Sequence, residues 1–166
     1  MTVRARTAMV IAWMAVLLGC QSLLGCDSLP KRVDRTGGLA VEVLWTSADS
    51  SRASYFAVGT DGVFRSSGGV SARARATQYT ATLSDEDVAR AVTLVRATDF
   101  ASRPRTAGEA GDRSEVLVAE HGRSARFATV GVDASVDALV GFCRELSLRQ
   151  FRDVIEAQPV AGERRR

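Results

Sequence analysis

Apolar and polar residues alternate over residues 39–45, with Leu39, Val41, Val43 and Trp45 on one side and Ala40 and Glu42 on the other. A period of two predicts a half-buried strand. Residues 54–59 (SYFAVG) and 63–67 (VFRSS) flank Thr60-Asp61-Gly62. Asp-Gly between β-prone runs predicts a hairpin, because glycine takes the positive φ that the turn demands. Gly68-Gly69 closes that strand. Residues 75–83 (RATQYTATL) then predict a fourth, with Tyr79, Ala81 and Leu83 on one face.

At Ser84-Asp85-Glu86-Asp87 the period changes. Ser84 is placed to cap the first amides of a helix and Asp87 to answer with its carboxylate, while three acids meet the positive end of the helix dipole. Val88, Ala91, Val92 and Val95 form the buried stripe, with Leu94 beside it, and Asp99-Phe100 ends the helix. Residues 101–114 (ASRPRTAGEAGDRS) have no period and are rich in Gly and Arg, which predicts a mobile loop. Residues 115–120 and 124–130 form a second hairpin around His121-Gly122-Arg123, with Val116, Val118, Ala125 and Phe127 facing inward. Asp133 or Ser135 caps a last helix whose apolar face is Val136, Leu139, Val140, Cys143 and Leu146. The apolar positions then rotate to Leu148, Phe151 and Ile155, and Ser147 with Gln150 is a second capping pair, so a kink or restart is expected near 147. Pro159 stops the helix.

The order ββββ-α-ββ-α excludes a βαβ parallel fold. It predicts an α+β domain over residues 39–157: an antiparallel sheet of about six strands with two main helices on one face.

The first 26 residues follow a different logic. Residues 1–7 hold Arg4 and Arg6 and no acid, and residues 8–18 (AMVIAWMAVLL) are continuously apolar. That is the length of a signal-peptide hydrophobic region and too short to span a bilayer comfortably. Two tetrads follow, Leu17-Leu18-Gly19-Cys20 and Leu23-Leu24-Gly25-Cys26. Both resemble the lipobox of bacterial lipoproteins, whose cysteine is acylated before the leader is cut on its N-terminal side. The resemblance implies a signal peptide over 1–19 with lipid on Cys20, or over 1–25 with lipid on Cys26. Cys20 directly follows the apolar run, whereas reaching Cys26 takes the polar pair Gln21 and Ser22 through it, so Cys20 is preferred. Two or three acyl chains hold a protein on a bilayer where one binds only marginally. Residues 20–38 become the acylated end and a polar, flexible tether, and residues 158–166 a disordered basic tail.

Composition agrees with a globular chain: 166 residues, 46% hydrophobic and 25% charged. The formal net charge is +3, but after Cys26 there are 20 basic residues against 19 acidic ones. A nucleic-acid partner is not expected.

Catalytic signals are sparse. His121 is the one histidine and falls in a hairpin turn, so no triad and no Cys/His zinc site is expected. Asp85, Glu86 and Asp87 point in different directions around a helix start. Ser28-Leu29-Pro30-Lys31 matches the serine–lysine signature of penicillin-binding proteins, but Pro30 sits in a tether where the catalytic serine should open a helix. Cys143, on an apolar face, reads as a small buried side chain. A disulfide to Cys26 needs the lipid to be on Cys20. Arg73, Arg75, Arg103, Arg105 and Arg113 could face anionic phospholipid or polysaccharide, with simple surface solvation as the competing account.

The order of elements is similar to small lipoprotein domains of unassigned function, in which a D-G hairpin precedes an L-[ST]-x-[DE] helix ending in D-F. The matching residues are Asp61-Gly62, Leu83-Ser84-Asp85-Glu86 and Asp99-Phe100. That resemblance implies the architecture and carries no activity. The expected protein is therefore exported and lipid-anchored, faces the periplasm or cell exterior, and is a non-enzymatic binding or structural module for an envelope protein or polymer. It is expected to need no cofactor, metal or catalytic residue. The alternative is an envelope enzyme with a carboxylate-only site.

Overall fold

A computed structural model describes residues 33–108 and 110–156. Cys20, Cys26, the leader, Ser28-Leu29-Pro30-Lys31, Pro159 and the basic tail lie outside them.

The alternation over residues 39–45 becomes strand β1, Leu39–Thr46. β2 (Ala53–Val58) and β3 (Val63–Gly68) form the first hairpin, β4 (Tyr79–Thr82) flanks them, and β6 (Arg113–Glu120) and β7 (Arg123–Val130) form the second. The six run in the spatial order β4-β3-β2-β1-β6-β7, each pair antiparallel. The α+β fold is as expected. One strand is additional: β5, Thr106–Ala107, lies parallel to the outer side of β7.

Turn chemistry sets the registers. Gly62 has φ +70, as the Asp-Gly turn requires. His121 and Gly122 have φ +48 and +79, so the second hairpin closes through two left-handed residues, the backbone whose twist matches that of the strands.

Helix α2 (Asp85–Ala97) and helix α3 (Ala134–Glu156) cover one face of the sheet. Ser84 Oγ accepts from the Asp87 amide at 3.1 Å and donates to the Asp87 carboxylate at 2.9 Å. Beneath the helices Leu39, Val41, Val43, Phe56, Val58, Phe64, Val116, Val118 and Phe127 meet Val88, Ala91, Val95, Val136, Leu139, Phe142 and Cys143 in one core. Phe64 stacks on Phe56 and meets Tyr79 edge-on. The helices are also joined by charge: Arg149 of α3 pairs with Asp87 at 2.9 Å, and Arg90 of α2 with Glu145 at 3.2 Å.

Several expectations are corrected. Gly69–Arg73 forms a short helix, α1, where a direct run into the fourth strand was read; Arg75 then turns through φ +53 before β4 begins at Tyr79. α1 buries Ala72 against Ala53, Tyr55 and Ala57 on the opposite face of the sheet, a small second core. Val92 is only half buried and stands outside the main core. α3 runs unbroken through 147, because Ser147 Oγ donates to the Cys143 carbonyl of its own helix at 3.1 Å and caps nothing. Leu148 is exposed.

Residues 101–108 and 110–114 are tied to the fold by specific bonds. The Ala128 amide donates to the Arg105 carbonyl, Ser114 is buried, and Arg103 is bonded on three sides. The folded region also begins before Leu39: Arg35 donates its amide to Thr60, pairs with Asp85 at 2.6 Å, and is followed by buried Thr36, whose hydroxyl donates to the Leu39 carbonyl.

Candidate functional site

Antiparallel pairing gives the sheet two ends with different chemistry. At the near end the chain joins the domain through Arg35 and Gly38, beside the turns at Thr60 and His121. At the far end β1 finishes at Trp45-Thr46, β2 starts at Ala53, β3 finishes at Gly68, β6 starts at Arg113 and β7 finishes at Val130. Eight residues of β1 separate the two, a span of about 26 Å.

Three clefts open at the far end, and Arg144 of α3 lines all of them. The most apolar, about 520 Å³, lies between Phe56 and Tyr79 on the sheet and Leu148 on α3, with Ser54, Ser66 and Gln78 along its walls. A second, about 570 Å³, is bounded by Trp45, Arg52, Gly69 and Asp112. The third, about 430 Å³, runs from Trp45 over Asp112 and Gly131 to Val132 and Asp137. Each is of a size that holds a small ligand or a few residues of peptide.

Trp45 is the pivot. The Arg144 guanidinium lies 4.3 Å from its ring and that of Arg52 lies 5.9 Å away, so the half-buried indole meets two cations. The β1–β2 turn that carries Arg52 is rigid. Ser47 is buried, its Oγ donates to Asp49 at 2.6 Å and accepts from the Arg52 amide at 3.0 Å. Hydrogen bonds from Ser47 and then Ser51 hold the Asp49 carboxyl down at about 2. Asp112 reaches the same turn, accepting from the Ala48 amide at 3.1 Å. Around these polar groups the far end exposes three large apolar side chains: Val132 at 96%, Val70 at 80% and Leu148 at 63%. An apolar cleft with such a rim and two cations beside it suits recognition of a partner that offers both apolar and anionic groups.

The arginines expected to face anions are mostly engaged within the domain. Arg73 donates to the Ser50 carbonyl. Arg75 bridges Glu42 at 3.4 Å and Glu115 at 3.2 Å on the outer face of the sheet. Tyr55 is nearby, its hydroxyl pKa raised by burial and then by Glu42. Arg103 pairs with Asp133, and Arg113 with Glu115 at 3.1 Å. Of the five, Arg73 and Arg105 make no ion pair among the described residues, and Arg73 is held by the Ser50 carbonyl.

His121 is exposed at its turn. Asp85 pairs with Arg35 and Asp87 with Arg149, so two of the three helix-start acids serve the fold, and Glu86 is exposed. Cys143 is 1% exposed and unpaired among the described residues, and burial pushes its thiol up to about 12. Among the described residues no group of His, Cys, Asp and Glu is arranged to hold a metal ion.

The far-end site was not visible in the sequence. Trp45 and Leu148 read as core positions, and Arg144 lies on a helix face with no motif around it. The one available signal was Trp45 itself, a large aromatic at the last apolar position of the strand's alternation. No protein-family model and no curated protein matches the chain.

Proposed function

We propose that the protein is a lipid-anchored binding module of the bacterial cell envelope, held to a membrane through Cys20, or else Cys26, and binding an envelope protein or polymer at the Trp45–Arg144 clefts. One observation carries the binding half. The three clefts and the exposed Val70, Val132 and Leu148 gather at the end of the sheet opposite to where the chain joins the domain. A tether pulling at Arg35 and Gly38 leaves that end free to reach outward. The lipobox tetrads support the anchoring half.

Two measurements test it. Mass spectrometry of the mature N-terminus should find an acylated cysteine at 20 or 26, and changing both to serine should release the protein from membranes or leave it unprocessed. A double variant that is processed and fractionates like wild type refutes the anchor. Photo-crosslinkers at Val132 and Leu148 should then capture one common partner in intact cells, while a crosslinker at exposed Thr93 of α2 should not. Trp45→Ala with Arg144→Glu should abolish that capture. Equal capture at all three positions, or capture indifferent to the double substitution, refutes the site.

A further inference from the structure

On the other face of the sheet, away from the far-end clefts, Ala128 of β7 forms the floor of a cleft of about 420 Å³. Its walls are Arg126 of the same strand, Arg113 and Glu115 of β6, and Arg105 with Thr106 beside and on β5. The placement follows from register. Ala128 pairs with Glu115 on one side and Thr106 on the other, Arg113 stands diagonal to it, and Arg126 is two residues along the strand on the same face. A small residue at the centre and long cations around it leave a pit.

The charges in the pit are unbalanced. Glu115 is already engaged, accepting from Arg113 at 3.1 Å through one oxygen and from Arg75 at 3.2 Å through the other. Arg105 and Arg126 make no ion pair among the described residues. Arg52, Arg73, Arg123, Arg144 and Arg152 share that state, but Arg52 and Arg144 lie against the Trp45 ring, whereas Arg105 and Arg126 line one cleft together. Two unpaired guanidiniums converging on one cleft repel each other and gain from a shared anion. Among the described lining residues three arginines stand against one glutamate, which matches a doubly charged oxyanion.

We infer that this pit is a binding site for a phosphate monoester: the phosphate dianion between Arg105, Arg113 and Arg126, the Thr106 hydroxyl donating to it, and the remaining volume taking a small polar alcohol portion. Guanidiniums fit phosphate because their parallel N–H groups bond two oxygens at once. The inference does not rest on the binding function proposed for the far end.

The test is calorimetric titration of the full chain in uncharged detergent at constant ionic strength. The probes are inorganic phosphate, glycerol phosphate and a short-chain phosphatidic acid, whose phosphate is also a monoester, below its micelle concentration. Glycerol phosphate should bind, and Arg105→Ala and Arg126→Ala should each weaken it about tenfold, the loss of one charge-assisted hydrogen bond. Arg123→Ala, in the hairpin turn, should change it less than about twofold. Both substituted arginines are exposed, and unchanged circular dichroism will show that the fold persists. Binding of inorganic phosphate equal to that of glycerol phosphate would still place the anion and narrow the site to the free ion. Tighter binding of the phospholipid, lost in Arg126→Ala, would identify a headgroup as the source of the phosphate. No saturable binding of any probe, or binding indifferent to both arginine substitutions, overturns the site.

Discussion

Arg103 grips the carboxylate of Asp133 with two guanidinium nitrogens, across 30 residues of sequence. The same side chain donates to the Thr98 carbonyl at the end of α2, to Ser135 Oγ at 2.7 Å, and lies 5.3 Å from the Phe127 ring. Asp133 in turn caps α3, accepting from the amides of Ser135 and Val136 at 3.2 and 3.1 Å. One arginine thus joins the C-terminus of one helix to the N-terminus of the next and shields the core beneath.

Arg103→Ala should therefore cost about 1–3 kcal/mol in denaturant unfolding, far more than a surface arginine. The pair also sets an acid limb. The bond from Arg103 holds the Asp133 carboxyl well below its ordinary 3.8. A carboxylate depressed in the folded state stabilises at neutral pH, and that contribution is lost as pH falls below about 4. Asp133→Asn should flatten stability over that acid range and lower it at pH 7. An Asp133→Asn profile parallel to wild type would show the pair to be energetically idle.

Core positions should separate cleanly. Leu139 is fully buried in mid-α3 and Val95 fully buried on α2, whereas Val92 is half exposed. Leu139→Ala should cost about 2–5 kcal/mol through lost transfer energy and a residual cavity. Val92→Ala should stay below about 1 kcal/mol, since its methyls already meet water. Urea midpoints on the two variants decide the matter, and similar losses would place Val92 in the core after all.

Cys143 should resist alkylation in the native state and react quickly once the chain unfolds. Its folded thiol is pushed from 9.0 up to about 12 by burial. A raised acid pKa leaves stability intact below 9 and erodes it as pH climbs from there toward 12, because only the unfolded chain gains from ionising. Cys143→Ala should remove that alkaline loss. Fast native labelling would mean that the helix face opens.

What could be read from the chain beforehand was periodicity and turn chemistry. Leu39, Val41 and Val43 alternate cleanly, Asp61-Gly62 and His121-Gly122 reverse the chain where expected, and Ser84 caps α2. These signals are local, so a short window contains them. Arg103 could not be read, because its partners lie 5, 30 and 32 positions away and nothing beside it marks a loop as packed. For the same reason a stretch with no period looked mobile although β5 and a clamp lie within it. Val92 fell on the apolar stripe by spacing, yet the stripe's width depends on how α2 leans on the sheet. The arginine pit rests on register: Ala128 becomes a floor only because Glu115 and Thr106 stand opposite it. Arg126 was an outward position of a strand and gave no sign of a companion.

Two glycines, one at each end of the sheet, supply the last expectation. Gly131 and Gly122 have nearly equal backbones, φ +81 and +79, so alanine at either carries the same left-handed strain of about 1–2 kcal/mol. Their surroundings differ. A Cβ on Gly122 would meet nothing within 4 Å, whereas one on Gly131 would stand 2.7 Å from the backbone oxygen of Ala110. That oxygen cannot rotate away, so residues 110–112 must move, and with them Asp112, which shares a cleft with Trp45 and Arg144. Gly131→Ala should lose clearly more stability than Gly122→Ala and also shift the emission of Trp45, measured with Trp13→Phe as background. Gly122→Ala should leave that emission unchanged. If both variants lose the same stability and neither disturbs Trp45, then Gly131 is not what holds the 110–112 backbone against the end of β7, and the walls of the far-end clefts are set elsewhere.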